Sequence, residues 1–242
     1  EKIRDRFSEY ANFSKKELSF RNQAYLFDYQ TEEITQIVNT LFDSGLLNQT
    51  MSESEIVDRT LFYIQNKFQY ISEKNNKDHW QSFAETLSKT GGDCEDLAII
   101  QANLLANIFN QKLGYSKKEV SEKVKLSAGY INLGFGQRAD HAIVKVKITQ
   151  DNQSIDYYVD PTSKIGKYTV EESKFNVIFE MNNIHFETFE TIENDFRTAA
   201  RAPNGDGTQR GKDFNLWLSY YNNHFIENNE RSSRIDRPTP DE

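Results

Sequence analysis

The sequence predicts an α+β domain in which a cysteine-bearing helix packs on an antiparallel sheet. Apolar residues recur with helical spacing over roughly the first half of the chain and with strand-like alternation over most of the second half. Such a separation of helices from strands is typical of α+β folds. We predict a single domain over residues 1–228, with its core at about 56–190, because 242 residues suit one domain with elaborations.

The helices are predicted from apolar spacing and from the signals at their ends. They are expected within residues 1–23, from Thr31 to Gly45, after the capping box of Ser52 and Glu55, around residues 82–88, and from Cys94 to Leu113. The helix from Cys94 has the strongest pattern, with a stripe of Leu97, Ile100, Leu104, Leu105 and Ile108. Gly114 is placed to end it, and a charged linker is expected to follow.

The strands are predicted from alternation and from turn residues. They are expected at residues 124–131, 142–148 and 155–159, with a further hairpin over 175–189. Asp151-Asn152 would form the turn between the second and third strands, which therefore pair antiparallel, and Asn182-Asn183 would form the turn of the later hairpin. A C-terminal helical extension around Phe214 and a disordered tail at residues 229–242 complete the prediction.

Composition excludes several kinds of partner. The net charge is −8, and Lys and Arg form no basic stripe with interleaved aromatic residues, so nucleic acid is not expected to bind. No stretch approaches the roughly 18 apolar residues of a membrane-spanning helix. The acidic charge and the start of the chain at Glu1 favour an extracytoplasmic location, periplasmic or secreted.

Composition also restricts the metal sites. Cys94 is the only cysteine, which excludes an intramolecular disulfide and a Cys-based zinc site. The four histidines lack metal-binding spacing. The loop at residues 203–207 lacks the first Asp and the closing Glu of a calcium loop.

Cys94 lies in the stretch T-G-G-D-C-E-D-L, which is an unusual setting for a lone cysteine. The N-terminus of a helix has unpaired N–H groups and a dipole that favours an anion, and this lowers the pKa of a thiol. Asp93, Glu95 and Asp96 oppose that effect, although acids are also favoured in a first helical turn. A positive partner is therefore required if the thiol is to ionise. The ordinary alternative is that a lone cysteine is a small buried apolar residue.

His141 and Asp160 are the candidate partners of Cys94. His141 follows a polar, glycine-containing segment at 134–140 and is expected to begin a strand, whereas Asp160 ends the next strand. The start of one strand lies opposite the end of its antiparallel neighbour, so the two side chains should be close. A carboxylate there would fix the imidazole tautomer and stabilise the imidazolium.

Strict alternation raises a difficulty for His141. It places the histidine on the less apolar face of its strand, together with Ile143 and Lys145. Either helices cover both faces of the sheet, or a bulge lies near the start of the strand.

These segments together resemble the transglutaminase-like cysteine enzymes, and in particular the bacterial transglutaminase-like cysteine proteinases. The resemblance spans roughly residues 56–162 and consists of Phe68-Gln69-Tyr70, Gly92-Asp93-Cys94-Glu95-Asp96-Leu97-Ala98, Ser127-Ala128-Gly129-Tyr130, His141-Ala142 and Val159-Asp160-Pro161-Thr162. The chain departs from the family at Ile143, where an aromatic residue is usual, and at Glu95, where animal-type transglutaminases carry tryptophan.

The resemblance implies a papain-like fold and cysteine-dependent acyl transfer on a protein or peptide amide. Cys94 would be the nucleophile, His141 the general base and acid, and Asp160 the orienting acid. Because Glu95 follows the cysteine, the resemblance favours hydrolysis, as in a protease or amidase, over transglutaminase cross-linking of glutamine to amines. A catalytically silent binding module on the same fold is the other alternative.

The resemblance also nominates residues around this triad. Trp80 and Gln81 are the candidates for lining the substrate or stabilising the oxyanion, beside the backbone N–H of Cys94. No cofactor is expected to be required. Calcium is the one metal that the resemblance implies, with Asp93 and Glu95 as its candidate ligands.

Overall fold

A computed structural model describes residues 22–72, 79–134, 137–163, 166–170 and 175–189. These residues have helices and an antiparallel sheet, which is the predicted α+β class. The predicted helix around Phe214, the 203–207 loop, the 229–242 tail and most of the predicted helix at 1–23 lie outside the described residues. Within the described ranges, no helix combines the length and the apolar character needed to span a membrane.

The helices mostly begin with explicit end signals. They comprise a 3₁₀ helix at Asn22–Phe27 and the α-helices α1 (Glu32–Asp43), α2 (Glu53–Lys67), α3 (Phe83–Lys89), α4 (Cys94–Gln111) and α5 (Lys117–Lys123). A capping box of serine and glutamate starts α2, α3 and α5. Helix α5 lies where the sequence predicts a charged linker, and the pair Ser116 and Glu119 is the signal that identifies it.

The strands form two sheets. Strands β1 (Gln69–Tyr70) and β2 (Gly91–Gly92) make a short parallel pair, and the main sheet contains β3 (Val124–Gly134), β4 (Gln137–Gln150), β5 (Gln153–Val159), β6 (Lys167–Thr169), β7 (Phe175–Met181) and β8 (Phe186–Thr188). The main sheet is antiparallel, in the order β6-β5-β4-β3-β7-β8. Asp151 and Asn152 have φ angles of 51° and 61°, as a two-residue hairpin turn requires, so the predicted β4–β5 hairpin is confirmed. The predicted later hairpin is confirmed as β7–β8.

Helix α4 is the centre of the main hydrophobic core. Every residue from Leu97 to Phe109 is buried, because α1, α2, α3, β3 and β4 all contact this helix. Two buried asparagines of this helix bind backbone carbonyl groups of an earlier segment. Asn103 donates to the carbonyl oxygen of Leu26 at 2.8 Å, and Asn107 donates to that of Tyr29 at 2.7 Å. These two bonds tie the middle of α4 to the segment that precedes α1.

Strand β4 begins earlier than the sequence predicts. It starts at Gln137, so most of the predicted loop at 134–140 is strand and His141 lies inside β4 rather than at its start. The register with β3 is continuous from Val124 to Asn132, with Gly129 opposite His141. A bulge in β4 therefore does not explain the facing of His141.

Buried faces on both sides of the sheet do explain it. One face of β4 contributes Ala142, Val144, Val146 and Ile148 to the main core. On the other face, Ile143 is fully buried in a second apolar cluster with Tyr158 and Phe175. The imidazole of His141 meets the ring of Phe175 edge-on, with centroids 6.4 Å apart. His141 is thus held in a packed environment.

Gly129 occupies a position where β3 passes very close to β7. A Cβ atom there would collide with the carbonyl oxygen of Asn176, and the β3–β7 register shifts at this point. We expect Gly129→Ala to lower the free energy of unfolding by about 3 kcal/mol, at the upper end of ordinary overpacking, as measured by urea denaturation. Gly45→Ala is the comparison, because Gly45 has φ 75° but open space around it. Its cost is expected to be about 1 kcal/mol, from backbone strain alone. Equal losses in the two variants would show that β7 moves aside easily.

Candidate active site

Cys94 is the first residue of α4, at the point where the β1–β2 pair leads into the helix. Asp93 is the N-cap, and its backbone N–H donates to Asp96 Oδ2 at 3.3 Å. The backbone of β2 is paired with β1 through Ile71, whose N–H donates to the Gly92 carbonyl at 2.8 Å. The Cys94 side chain is partly exposed. The thiol therefore lies at a helix N-terminus that is fixed on both sides.

The thiol contacts both its own helical turn and the main sheet. Cys94 Sγ donates to Glu95 Oε2 at 3.3 Å. The backbone N–H of Ala142 is close enough to the thiol to favour its ionised form. Because Ala142 directly follows His141 in β4, the fold brings the thiol beside the strand of the candidate histidine.

His141 and Asp160 form a buried pair. Nε2–H of His141 donates to Asp160 Oδ2 at 2.8 Å, and the two residues are 7% and 3% exposed. The second carboxylate oxygen, Oδ1, accepts the backbone N–H of Thr162 at 2.9 Å and its hydroxyl at 2.7 Å. The backbone N–H of Asp160 donates to the carbonyl of Gly166 at 2.6 Å. Thr162 therefore orients the carboxylate toward the imidazole, and the bond to Gly166 fixes the backbone that carries it.

The electrostatic setting keeps the Cys94 thiol protonated. Burial raises the pKa of Cys94 well above its ordinary value, and the charges of Glu95 and Asp93 raise it further. The N–H of Ala142 acts in the opposite direction but is outweighed. The predicted opposition by carboxylates therefore applies to Glu95 and Asp93, whereas Asp96 is not among the charges that raise the pKa of Cys94. The expected lowering of this pKa by the helix terminus is not the dominant effect.

The His141–Asp160 pair has the electrostatics of an ion pair. Burial by itself would lower the pKa of His141, but the adjacent Asp160 outweighs burial and raises it, with a contribution from Glu95. Burial would raise the pKa of Asp160, and His141 together with Thr162 outweighs burial and lowers it. The charged forms of both residues stabilise each other.

The His141–Asp160 pair should make the free energy of unfolding depend on pH. A raised His141 pKa contributes stability that is complete below 6.5 and is lost as pH rises through the folded value. A lowered Asp160 pKa contributes stability that is complete above 3.8 and is lost as pH falls through the folded value. We expect the difference in unfolding free energy between wild type and Asp160→Asn to be larger at about pH 5 than at about pH 9. Urea denaturation at the two values measures this, and an equal difference would contradict the ion pair.

Three carboxylates converge beside Cys94. One oxygen each from Asp93, Glu95 and Asp96 lies within 4.8 Å of the others, an arrangement that suits a hard cation. Asp96 is fully buried and already accepts several N–H groups, so Asp93 and Glu95 are the members that fit a cation better. Calcium uses six to eight oxygens, so these residues would supply only part of its coordination shell.

Trp80 and Gln81 precede α3, and Gln81 contacts the first turn of α4. Both are 7% exposed. Gln81 donates to Asp96 twice, from its backbone N–H at 2.7 Å and from its side-chain Nε2. The amide of Gln81 is thus engaged with the helix start, and a direct oxyanion role for Trp80 or Gln81 stays a prediction.

Two residues at the site have roles that the sequence-based interpretation did not assign. From the sequence, Asp96 is one of the acids of a first helical turn. In the structure it is the third residue of α4 and accepts the N–H of the N-cap Asp93, and an acid three residues after an N-cap is the sequence signal of a capping box. Thr162 donates its backbone N–H and its hydroxyl to the carboxylate of Asp160, and acceptance from a residue two positions later is common for Asp in turns.

Comparisons with known proteins give structural likeness only. No protein-family model matches the sequence, and a search of curated proteins finds no match. Calcium-bound Legionella pneumophila LapG is 16% identical, with 72% of this chain and 87% of that chain covered and a TM-score of 0.47. The EGTA-treated form is also 16% identical, with coverage of 72% and 86% and a TM-score of 0.48. A candidate cysteine protease from Cytophaga hutchinsonii is 14% identical, with coverage of 74% and 58% and a TM-score of 0.37. Likeness this distant does not establish a shared function. A function therefore has to be inferred from the residues of this chain.

Proposed function

We propose that this chain is a cysteine-dependent acyl-transfer enzyme that acts on protein or peptide amides, with Cys94 as nucleophile. One observation carries the proposal: the thiol at the start of α4 lies beside the strand of a buried histidine whose Nε2–H donates to Asp160 at 2.8 Å. A thiol at a helix N-terminus, an imidazole and an orienting carboxylate are the parts of a nucleophile–base–acid site.

The proposed reaction begins with transfer of the thiol proton. Asp160 engages Nε2 of His141, which leaves Nδ1 as the nitrogen that takes the proton from Sγ. The sulfur attacks the carbonyl carbon, and the carbonyl π electrons move to oxygen, which is stabilised by the backbone N–H of Cys94. Collapse of the tetrahedral species forms a thioester and breaks the C–N bond. The leaving amine takes the proton from His141.

The second half of the reaction decides between the two enzyme classes. His141 removes a proton from the incoming nucleophile, which attacks the carbonyl carbon of the thioester. The C–S bond then breaks, and the sulfur of Cys94 takes the proton from His141 to restore the thiol. Water gives hydrolysis, and the chain then acts as a protease or amidase. An amine gives transamidation. We favour hydrolysis because the acidic residues Asp93 and Glu95 flank the cysteine, in the form of the sequence that resembles the proteinase branch.

The raised pKa of Cys94 favours one alternative, a catalytically silent binding module. A thiol that donates to Glu95 and stays protonated at neutral pH is a poor nucleophile unless a base removes its proton. Against this alternative, a binding module has no need of a buried His141–Asp160 pair, because a buried ion pair contributes little net stability even when it is well paired.

The deciding experiment is single-turnover acylation by 4-nitrophenyl acetate, a small activated ester. We expect one equivalent of 4-nitrophenolate per wild-type chain and an acetyl group on Cys94 by mass spectrometry. Cys94→Ala should give neither. Added glycinamide then distinguishes the classes, since transamidation yields acetylglycinamide and hydrolysis yields acetate. Labelling of wild type no faster than of Cys94→Ala would overturn the proposal and leave the binding module.

We expect calcium to increase the reactivity of Cys94. Asp93 and Glu95 would hold the ion, and a bound cation would neutralise the two charges that raise the pKa of the thiol. Iodoacetamide alkylation of wild type across pH 4 to 10 should therefore show its inflection at lower pH with about 1 mM calcium than with EGTA. Magnesium is the control, because it demands a tighter octahedral shell. An inflection that calcium leaves unmoved would exclude this site as its binding place.

A further inference from the structure

A cluster of hydrogen bonds beside Cys94 is not used by the proposed triad. Asp96 is fully buried, and its two carboxylate oxygens accept three donors: the backbone N–H of Gln81 at 2.7 Å, Nε2 of Gln81, and the backbone N–H of Asp93 at 3.3 Å. Gln81 lies just before α3, whereas Asp93 and Asp96 flank Cys94 in sequence. This cluster joins a separate segment of chain to the turn that carries the thiol.

Gly92 is what permits the cluster. A Cβ atom at residue 92 would collide with the side chain of Asp96, so the carboxylate can lie against the backbone there only because residue 92 is glycine. A buried carboxylate is costly unless N–H groups saturate it. The arrangement of Gly92, Asp96 and Gln81, here called the Asp96 clamp, therefore reflects a specific geometric demand at this turn.

The clamp holds Asp93, the residue that precedes the backbone N–H donor of Cys94. Asp96 holds the N–H of Asp93, and Asp93 is joined to Cys94 by the peptide bond that carries the Cys94 N–H. The orientation of that N–H depends on the backbone of Asp93. Donors of this kind act only when they are aimed at the position of the developing oxyanion.

We propose that Gln81 is a positioning residue that acts through Asp96 to aim the backbone N–H of Cys94 at the oxyanion. This inference rests on the proposed function and deepens it, because it gives Gln81 an indirect role in place of direct contact with the substrate. Misplacement of reacting groups by about 1 Å costs about 10²-fold in rate, so loss of the clamp should be visible kinetically.

The test compares two reactions of the same thiol in wild type and Gln81→Met. Acylation by 4-nitrophenyl acetate passes through an oxyanion, whereas alkylation by iodoacetamide does not. We expect Gln81→Met to slow acylation by about 10- to 100-fold and to change alkylation by less than about threefold. Gln101→Met is the matched control, since Gln101 is a fully buried amide in α4, the helix that begins at Cys94, and its side chain has no hydrogen bond to the described residues. It should leave both rates unchanged.

A double-mutant cycle separates the indirect role from direct donation by Gln81. If Gln81 acts through Asp96, Asp96→Asn should slow acylation at least as much as Gln81→Met, and the double variant should be no slower than Asp96→Asn. If Gln81 donates directly to the oxyanion, its effect should add in full to that of Asp96→Asn, and the inference is wrong.

Three further outcomes overturn the inference. Parallel loss of acylation and alkylation in Gln81→Met, or no loss of either, would show that the clamp does not aim an oxyanion donor. Absence of Cys94-dependent acylation in wild type would overturn the proposed function and this inference together. Should Gln81→Met fail to fold, Gln81→Asn keeps the amide but shortens its reach to Asp96, and the same ratio of rates applies to it.

Discussion

An Asp160→Asn variant is expected to lose about 10³- to 10⁴-fold of the acylation rate while keeping its fold. Asp160 accepts Nε2–H of His141, which fixes the tautomer whose Nδ1 can take a proton. An asparagine amide nitrogen in place of Oδ2 would donate instead, and it would favour the opposite tautomer. Thr162 would still donate to the remaining oxygen, so the loop should stay in place. Stopped-flow acylation by 4-nitrophenyl acetate measures the loss.

Asp156→Asn is the control for this prediction. Asp156 lies in β5, the strand that Asp160 directly follows, and it pairs with Lys145 at 3.6 Å. Its substitution removes the same charge from the same stretch of chain and should change acylation by less than about threefold, since partly exposed ion pairs contribute little. Equal effects of the two substitutions would mean that Asp160 acts through net charge rather than through the orientation of His141.

A Glu95→Gln variant is expected to react faster with iodoacetamide than wild type at neutral pH, by several-fold or more. Glu95 accepts the thiol hydrogen at 3.3 Å and is the first of the charges that raise the pKa of Cys94. Removal of its charge lowers that pKa and increases the thiolate fraction. It also removes one candidate calcium ligand, so the response to calcium should weaken. The pH dependence of alkylation, with calcium and with EGTA, measures both effects.

Glu119→Gln provides the matched control for Glu95→Gln. Glu119 also lies in the first turn of a helix, α5, where its hydrogen bonds are to Ser116. We expect no change in alkylation from it. An alkylation profile of Glu95→Gln that coincides with wild type would show that the charge of Glu95 does not control the thiol. The raised pKa of Cys94 would then have to rest on burial and on the charge of Asp93.

The order of the elements could be predicted from sequence because the signals are local. The capping box at Ser52 and the turn at Asp151-Asn152 each lie within four residues, and both appear in the structure as expected. The proximity of His141 and Asp160 followed from the hairpin, since antiparallel pairing converts sequence spacing into distance.

The remaining features depend on contacts between distant segments. The start of β4 was misplaced because Gly134 resembles a turn, although pairing with β3 continues as far as Gln137. Alternation in β4 alone does not show why His141 is buried, because the second face of the sheet is covered by Ile143, Tyr158 and Phe175 from three different strands. The link from Gln81 to Asp96 spans 15 residues and two elements, and no periodicity reports such a contact.

The β4–β5 hairpin also determines where the length of this protein can vary during evolution. The register runs without interruption from Gln150 opposite Gln153 to Val144 opposite Val159, so distances along both strands are counted from one turn. An insertion of one residue into either strand alone would slip the register and reverse the facing of the side chains beyond it. Residues gained or lost in matched pairs beside the Asp151-Asn152 turn would lengthen or shorten the tip and leave His141 and Asp160 together. Indels among relatives of this chain should therefore be found at that tip and not between it and the site.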